Sequence, residues 1–267
     1  MGALILAAGS ALDADALALL DAAASAGFDG VGLRLSHGLA GTVRELRAIR
    51  TRADDLGIFV HDVEVHRVGE GVAFETLLEA ASEVGARRIL AVSDVSDLSR
   101  TVESLSALVA QARPLGIEVG VEYMAWTTPS APADSIRVAM ESGCVVIVDV
   151  LHHHRVGAGT EEMRAVVRSG TLGWVQLCDA LGTPAPRPPI GPTERFARHD
   201  ALLHEARHER LPPGDGDLPL DELLAAVPPE VTRSVEVQSD TLSATTTVRE
   251  RAALLYRASL PWRGVRP

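Results

Sequence analysis

Lysine is missing from all 267 positions, so every one of the 25 basic residues is arginine. That excludes a Schiff-base aldolase, a pyridoxal enzyme and a phosphate-binding P-loop, each of which needs a lysine amine. Asparagine is missing too, and with it any acceptor for an N-linked glycan. Aromatic residues make up only 3% of the chain, and 36 acidic residues against 25 basic ones leave a net charge of −11. Nucleic-acid binding needs basic tracks and stacking platforms, and this chain offers neither. The two cysteines, Cys144 and Cys178, stand alone. They point to a reducing compartment and to neither a zinc ribbon nor a disulfide framework. The apolar start, Met1–Ala8, has no positive flank and is too short for a signal peptide or a membrane span. A cytoplasmic protein with no nucleic-acid or membrane partner is the expectation.

What is present has one rhythm. Short aliphatic or β-branched runs alternate with longer Ala-, Leu-, Arg- and Glu-rich stretches of helical period. Strands are predicted at Ala3–Ala8, Gly30–Leu35, Ile58–Val65, Arg88–Val92, Ile117–Glu122, Val145–Val150, Gly173–Cys178 and Ser234–Val237. Helices are predicted at Asp13–Ala26, Thr42–Leu56, Ala73–Val84, Ser99–Leu115, Ala133–Glu141, Thr160–Arg168, Leu220–Ala226 and Thr245–Tyr256. Gly27, Gly57, Gly85, Gly116 and Gly143 each follow a helix, where a left-handed cap suits glycine. Eight strands alternating with eight helices in about 250 residues is the size of a (β/α)8 TIM barrel. An open doubly wound sheet competes, but no G-x-G-x-x-G follows the first strand. The expectation is a single barrel domain over 1–267.

One segment breaks the rhythm. Between Asp179 and Asp217 lie Pro184, Pro186, Pro188, Pro189 and Pro192, then a His/Arg-rich stretch from His199 to Arg210. A long Pro-rich loop insertion after strand seven, with room for a short helix, is expected at the carboxyl face where barrel active sites sit.

Polar residues keep the same register as the strands. Glu122, Asp149 and Gln176 are spaced by 27 and 27, and Glu236 lies 60 further on, one unit plus the insertion. Glu64 and Ser93 fall in phase before them. Residues at the same point of successive units meet at the mouth of the barrel. A carboxylate inside an apolar strand needs a partner or a metal, and hard oxygen donors suit Mg2+ or Mn2+, with Co2+ or Zn2+ also accepted by a mixed set.

Several short motifs run in order along the chain: Gly27-Phe28-Asp29-Gly30-Val31, Val119-Gly120-Val121-Glu122, Val148-Asp149-Val150-Leu151-His152, Val175-Gln176-Leu177-Cys178-Asp179, Pro213-Gly214-Asp215-Gly216 with Asp221, and Val235-Glu236-Val237. In this ordered series the chain resembles the xylose-isomerase-like barrel superfamily of sugar phosphate isomerases and epimerases. That resemblance implies a divalent-metal isomerase or epimerase, with Glu122, Asp149, Gln176 and Glu236 around one ion. It further implies Glu122 and Glu236 as the acid/base pair, and His152 as a contact to a substrate oxygen. The substrate it implies is a small sugar-like or hydroxy-ketone molecule, worked through an enediolate. The alternatives are a metal-dependent dehydratase of the inosose or dehydroshikimate type, or a degenerate barrel that binds a ligand without chemistry. Gln176 departs from the pattern, since the family usually places histidine there. A glutamine carbonyl still binds a hard cation, but it is neutral and a weaker ligand.

The remaining candidates line the expected pocket. Arg34 ends strand two, and its donor fork suits a carboxylate or phosphate. Glu64 and Arg67 end strand three, with an ordinary ion pair as their plain alternative. Arg210, before Leu211-Pro212-Pro213, is placed to fold over a substrate. Of His152, His153 and His154, at most two can face one site. Helices outside a barrel commonly pair, so a homo-oligomer is compatible with the sequence.

Overall fold

The computed structural model describes residues 2–35, 42–69, 74–183 and 200–264. Eight parallel strands close into a barrel in sequence order: β1 (Leu4–Leu6), β2 (Gly30–Arg34), β3 (Phe59–Val68), β4 (Arg88–Ser93), β5 (Glu118–Glu122), β6 (Val145–Asp149), β7 (Leu172–Leu177) and β8 (Thr232–Val235). The ring is sealed by β1 against β8, with Leu6 in register with Val235. Around it run α1 (Ala16–Ala26), α2 (Val43–Leu56), α3 (Phe74–Val84), α4 (Leu98–Ala112), α5 (Pro132–Ser142), α6 (Val150–Arg155), α7 (Thr160–Arg168), α8 (Asp200–His208), α9 (Leu220–Leu224), α10 (Asp240–Thr245) and α11 (Val248–Ser259). Each strand follows from its run of β-branched and aliphatic residues, buried on both faces as parallel sheets require.

The helices start where side chains can satisfy their free amides. Asp15 caps α1, and Thr42 with Glu45 and Thr247 with Glu250 form capping boxes on α2 and α11. They end at the predicted glycines: Gly27, Gly57, Gly85, Gly116 and Gly143 all adopt positive φ. Inside the barrel Leu90, Val92, Met124, Ile147 and Trp174 form the core plug. Gly120 faces that plug, and a Cβ there would lie 2.5 Å from the Trp174 ring. The larger apolar layer lies between strands and helices.

Boundaries differ from the sequence expectation in instructive places. The eighth strand is Thr232–Val235 rather than Ser234–Val237, so Glu236 leaves the sheet just as it reaches the mouth. The fourth predicted helix, Ser99–Leu115, breaks at Arg113-Pro114, and a 3-10 turn takes Arg113–Leu115. α6 and α10 were not foreseen, because each is six residues long and too short for a periodic signal. The prolines Pro184, Pro186, Pro188, Pro189 and Pro192, and His199, lie outside the described residues. α8 is the short helix expected within that insertion.

Candidate functional site

The in-phase polar residues converge at the carboxyl ends of the strands. Glu122 ends β5, Asp149 ends β6, Gln176 sits in β7, and Glu236 follows β8; all four are buried. Glu122 and Glu236 line a cavity of about 430 Å³ whose wall also includes Arg34, Glu64, Arg67, Trp126, His152, Arg207, Arg210 and Gln238, while Asp149 and Gln176 lie behind it, bonded to Arg210 and Glu236. A larger hollow of about 1230 Å³, between Leu224–Glu230 and Leu260–Trp262, opens at the opposite end of the barrel. It gathers no such set of carboxylates, which makes the smaller cavity the candidate site.

Local sequence explains how the residues are aimed. Asp149 caps α6, with Oδ1 accepting from the amides of Leu151 (2.8 Å) and His152 (3.0 Å). That turn is why an aspartate and a histidine three residues apart face the same space. His152 Nε2 is 3.7 Å from Glu122 Oε1, and the Trp126 ring meets the imidazole edge-on at 5.2 Å. Arg210 is buried, and Nη1 donates to Asp149 Oδ2 (2.6 Å) and to the Glu236 carbonyl (3.1 Å), while Nε donates to the Ala206 carbonyl (2.8 Å). Its Nη2 reaches His152 Nε2 at 3.3 Å. Since guanidinium only donates, that ring nitrogen is the acceptor and the His152 proton sits on Nδ1. Gln176 Nε2 donates to Glu236 Oε2 (2.6 Å), and Gln238 Nε2 to Glu236 Oε1 (3.2 Å). On the far wall Arg34 Nη2 lies 3.3 Å from Glu64 Oε1.

Charge states follow from burial and neighbours. Burial, then the charges of Glu236 and Asp149, pushes the Glu122 carboxyl well above the usual range. Burial also pushes Glu64 up to about 8, against the pull of Arg34. Burial works to raise Asp149, but Arg210 and His152 outweigh it and hold that carboxyl below its ordinary value. His152 falls to about 4, chiefly through burial, and so is neutral near pH 7.

Glu122, Asp149 and His152 place ligand atoms within 4.8 Å of one another, a set able to hold a metal ion. The Gln176 carbonyl oxygen is buried with no hydrogen-bond partner, an acceptor that a cation would satisfy. The donors present therefore fit a divalent ion of the oxygen-preferring kind.

Sequence reasoning missed four contributors. Trp126 and Gln238 sit on loops just past Glu122 and Glu236, the usual place for site residues on this architecture. Arg207 lies within the His/Arg-rich stretch, where nothing in the sequence sets it apart from its neighbours. Asp179 is the fourth: its carboxylate accepts from the amides of Ala180, Gly214 and Leu218 and so ties down the segment that carries Arg210. The histidine row is also resolved. His152 faces the cavity, whereas His153 is fully buried between the Tyr123 hydroxyl (2.5 Å) and the Gly159 carbonyl (2.9 Å), not on the surface. Ser93 is spent on Thr101 and the Val95 amide. Burial pushes the Cys144 thiol up to about 11, and raises Cys178 as well, so neither is an activated nucleophile.

Residues 20–257 match a family model of xylose isomerase-like TIM barrels. Solved structures with the same fold include a xylose isomerase-like TIM barrel/4-hydroxyphenylpyruvate dioxygenase fusion protein, with 22% identity and TM-score 0.74. The match covers 98% of this chain but only 42% of that one. D-Psicose 3-epimerase from Clostridium cellulolyticum H10, solved with D-tagatose, matches at 12% identity and TM-score 0.71, with 98% of each chain covered. The probable 3-DHS dehydratase involved in petrobactin synthesis in Bacillus anthracis matches at 14% identity and TM-score 0.70, covering 96% of this chain and 98% of that one. No curated protein matches the chain.

Proposed function

The chain belongs to the xylose isomerase-like TIM barrel family, and from that premise we propose that its mouth is the active site of an isomerase or epimerase for a small sugar-like or hydroxy-ketone substrate. The observation that carries this reading is the pair Glu122 and Glu236. Both are buried, both line one cavity, and they enter it from β5 and β8, three strands apart around the ring. Two carboxyl groups on different sides of one carbon are what proton removal and return require.

The chain's own groups divide the work. Glu236 is the base: Gln176 and Gln238 each donate to one of its oxygens and fix its orientation toward the cavity. Glu122, whose carboxyl burial and acidic neighbours push well above the usual range, is the acid that returns a proton. His152 presents a neutral ring on the cavity wall, its acceptor nitrogen engaged by Arg210, and is placed to meet a substrate oxygen. Trp126, against that ring, keeps it dry and fixed. Arg210 holds Asp149 in place and offsets the concentrated negative charge. The residues that would hold a divalent ion, Mn2+ or Mg2+ before Co2+ or Zn2+, are Glu122, Asp149, Gln176 and Glu236, with His152 beside them. Such an ion polarises a carbonyl and its neighbouring hydroxyl, and so acidifies the carbon between them.

The test is solvent exchange. Incubated with hydroxy-ketones in deuterated water, the protein should place one deuterium on the carbon next to the carbonyl, and Glu236→Gln should abolish this without lowering the melting temperature. A product lighter by one water would assign a dehydratase instead. An undiminished exchange rate in Glu236→Gln would sink the two-carboxylate mechanism.

A further inference from the structure

The wall facing the carboxylates is cationic, which the carboxylate chemistry by itself does not call for. Arg34 comes from the end of β2, Arg67 from β3 and Arg207 from α8, and all three line the cavity. They are close enough to repel: burial, then the charges of Arg67 and Arg34, lowers the pKa of the Arg207 guanidinium. Three like charges from three separate elements, on a chain whose net charge is −11, are not a by-product of composition. Their local counter-charges cancel them only in part. Arg67 is paired with Asp94 at 2.9 Å. Arg34 has Glu64, but that carboxyl is largely protonated below about pH 8. Arg207 has no ion-pair partner among the described residues. Arg34 Nε, moreover, is buried and has no hydrogen-bond partner, a donor left waiting. Arg210, by contrast, spends its donors within the chain, on Asp149, Ala206 and Glu236, and is not open to a ligand in the same way.

We propose that Arg34, Arg67 and Arg207 form an anion-binding subsite, and that the substrate is a hydroxy-ketone bearing a carboxylate or phosphate rather than a neutral sugar. This rests on the acid/base reading of the same cavity, because it fixes which end of the substrate lies away from Glu122 and Glu236. Planar guanidinium forks from β2, β3 and α8 suit an oxyanion, since each offers two parallel donors to two oxygens. Both candidate anions meet that geometry, and they differ in charge and in the number of oxygens.

Three probes share one hydroxy-ketone core and differ only at the third carbon: dihydroxyacetone, dihydroxyacetone phosphate and hydroxypyruvate. Binding of each is measured by calorimetry on the wild type and on Arg207→Ala, a variant at an exposed helix position. It is also measured on Glu236→Gln, which lacks the proposed base. At least one anionic probe should bind about ten-fold or more tighter than dihydroxyacetone, as charge-assisted hydrogen bonds at a partly buried site imply. Whichever anion wins identifies the substrate as an acid or a phosphate ester. Arg207→Ala should keep its melting temperature and lose most of that preference, and Arg34→Gln should do the same. Equal affinity for all three probes, or an unchanged preference in both arginine variants, overturns the subsite. The Glu236→Gln arm separates the two readings: a preference kept there, with no deuterium exchange in the wild type, leaves the anion site standing and the acid/base reading fallen. Exchange into dihydroxyacetone with no preference for anions does the reverse.

Discussion

Glu64 shows how one buried side chain sets a pH dependence for the whole chain. Its folded pKa, about 8, stands above the ordinary value of 4.5, so between these limits the folded state holds a proton that the unfolded state has lost. Stability then falls as pH rises through that window, and is fully present only below it. Glu122 acts with the same sign. The melting temperature should therefore drop between pH 5 and pH 8, roughly the span of that window, and Glu64→Gln should flatten the drop without removing it. Identical slopes in the two proteins would contradict this. Gln176 carries a second expectation at this scale. Its unpartnered carbonyl among carboxylates predicts about one equivalent of divalent ion by elemental mass spectrometry, lost in a Glu122→Ala/Glu236→Ala double variant. No ion after reconstitution with Mn2+, Mg2+, Co2+ and Zn2+ would exclude a metal centre here.

Among elements, the segment from α8 to α9 has the most to explain, since it brings both Arg207 and Arg210 to the mouth. Asp179 pins it by three amide donors and by the pairing of Asp179 with Leu211. Arg155, on α6, holds Glu205 of α8 at 2.6 Å. Gly216 packs so closely that a Cβ would meet the Ala180 carbonyl at 2.4 Å. Asp179→Ala leaves three amides unanswered, two of them in buried hydrogen bonds and the third in a half-buried one. It should cost about 2–4 kcal/mol in chemical denaturation and expose the segment to proteolysis after Arg210. Wild-type resistance in that variant would show that the anchor lies elsewhere. The strands and long helices of this fold were legible because their periodicity and glycine caps are local signals. The carboxylates were legible because the barrel repeats, which puts Glu122, Asp149 and Gln176 in phase. Arg207 and Asp179 were not, because their roles depend on how a segment without a repeat folds back, and no periodic pattern records that.

At the scale of the molecule, β1 closes on β8 and α1 packs against α11, so the two ends of the chain complete the same ring. A barrel sealed in this way has no half that keeps its own core. Calorimetry should show one cooperative transition for residues 1–267, and two well-separated transitions would argue for independent units. No helix among the described residues is long and apolar enough to cross a membrane.

The ring of strands is nearly uniform around its axis, yet the charges at its mouth are not. Arg34, Arg67 and Arg207 gather on the β2, β3 and α8 side, with the Glu64 carboxyl among them, and Glu122 and Glu236 stand at β5 and β8. A molecule with unlike ends can lie across such a mouth in one sense only. On the proposed reading, which of two chemically similar carbons gives up its hydrogen is decided by compass bearing, by where around the circle each charge was planted, before the shape of the pocket has any say.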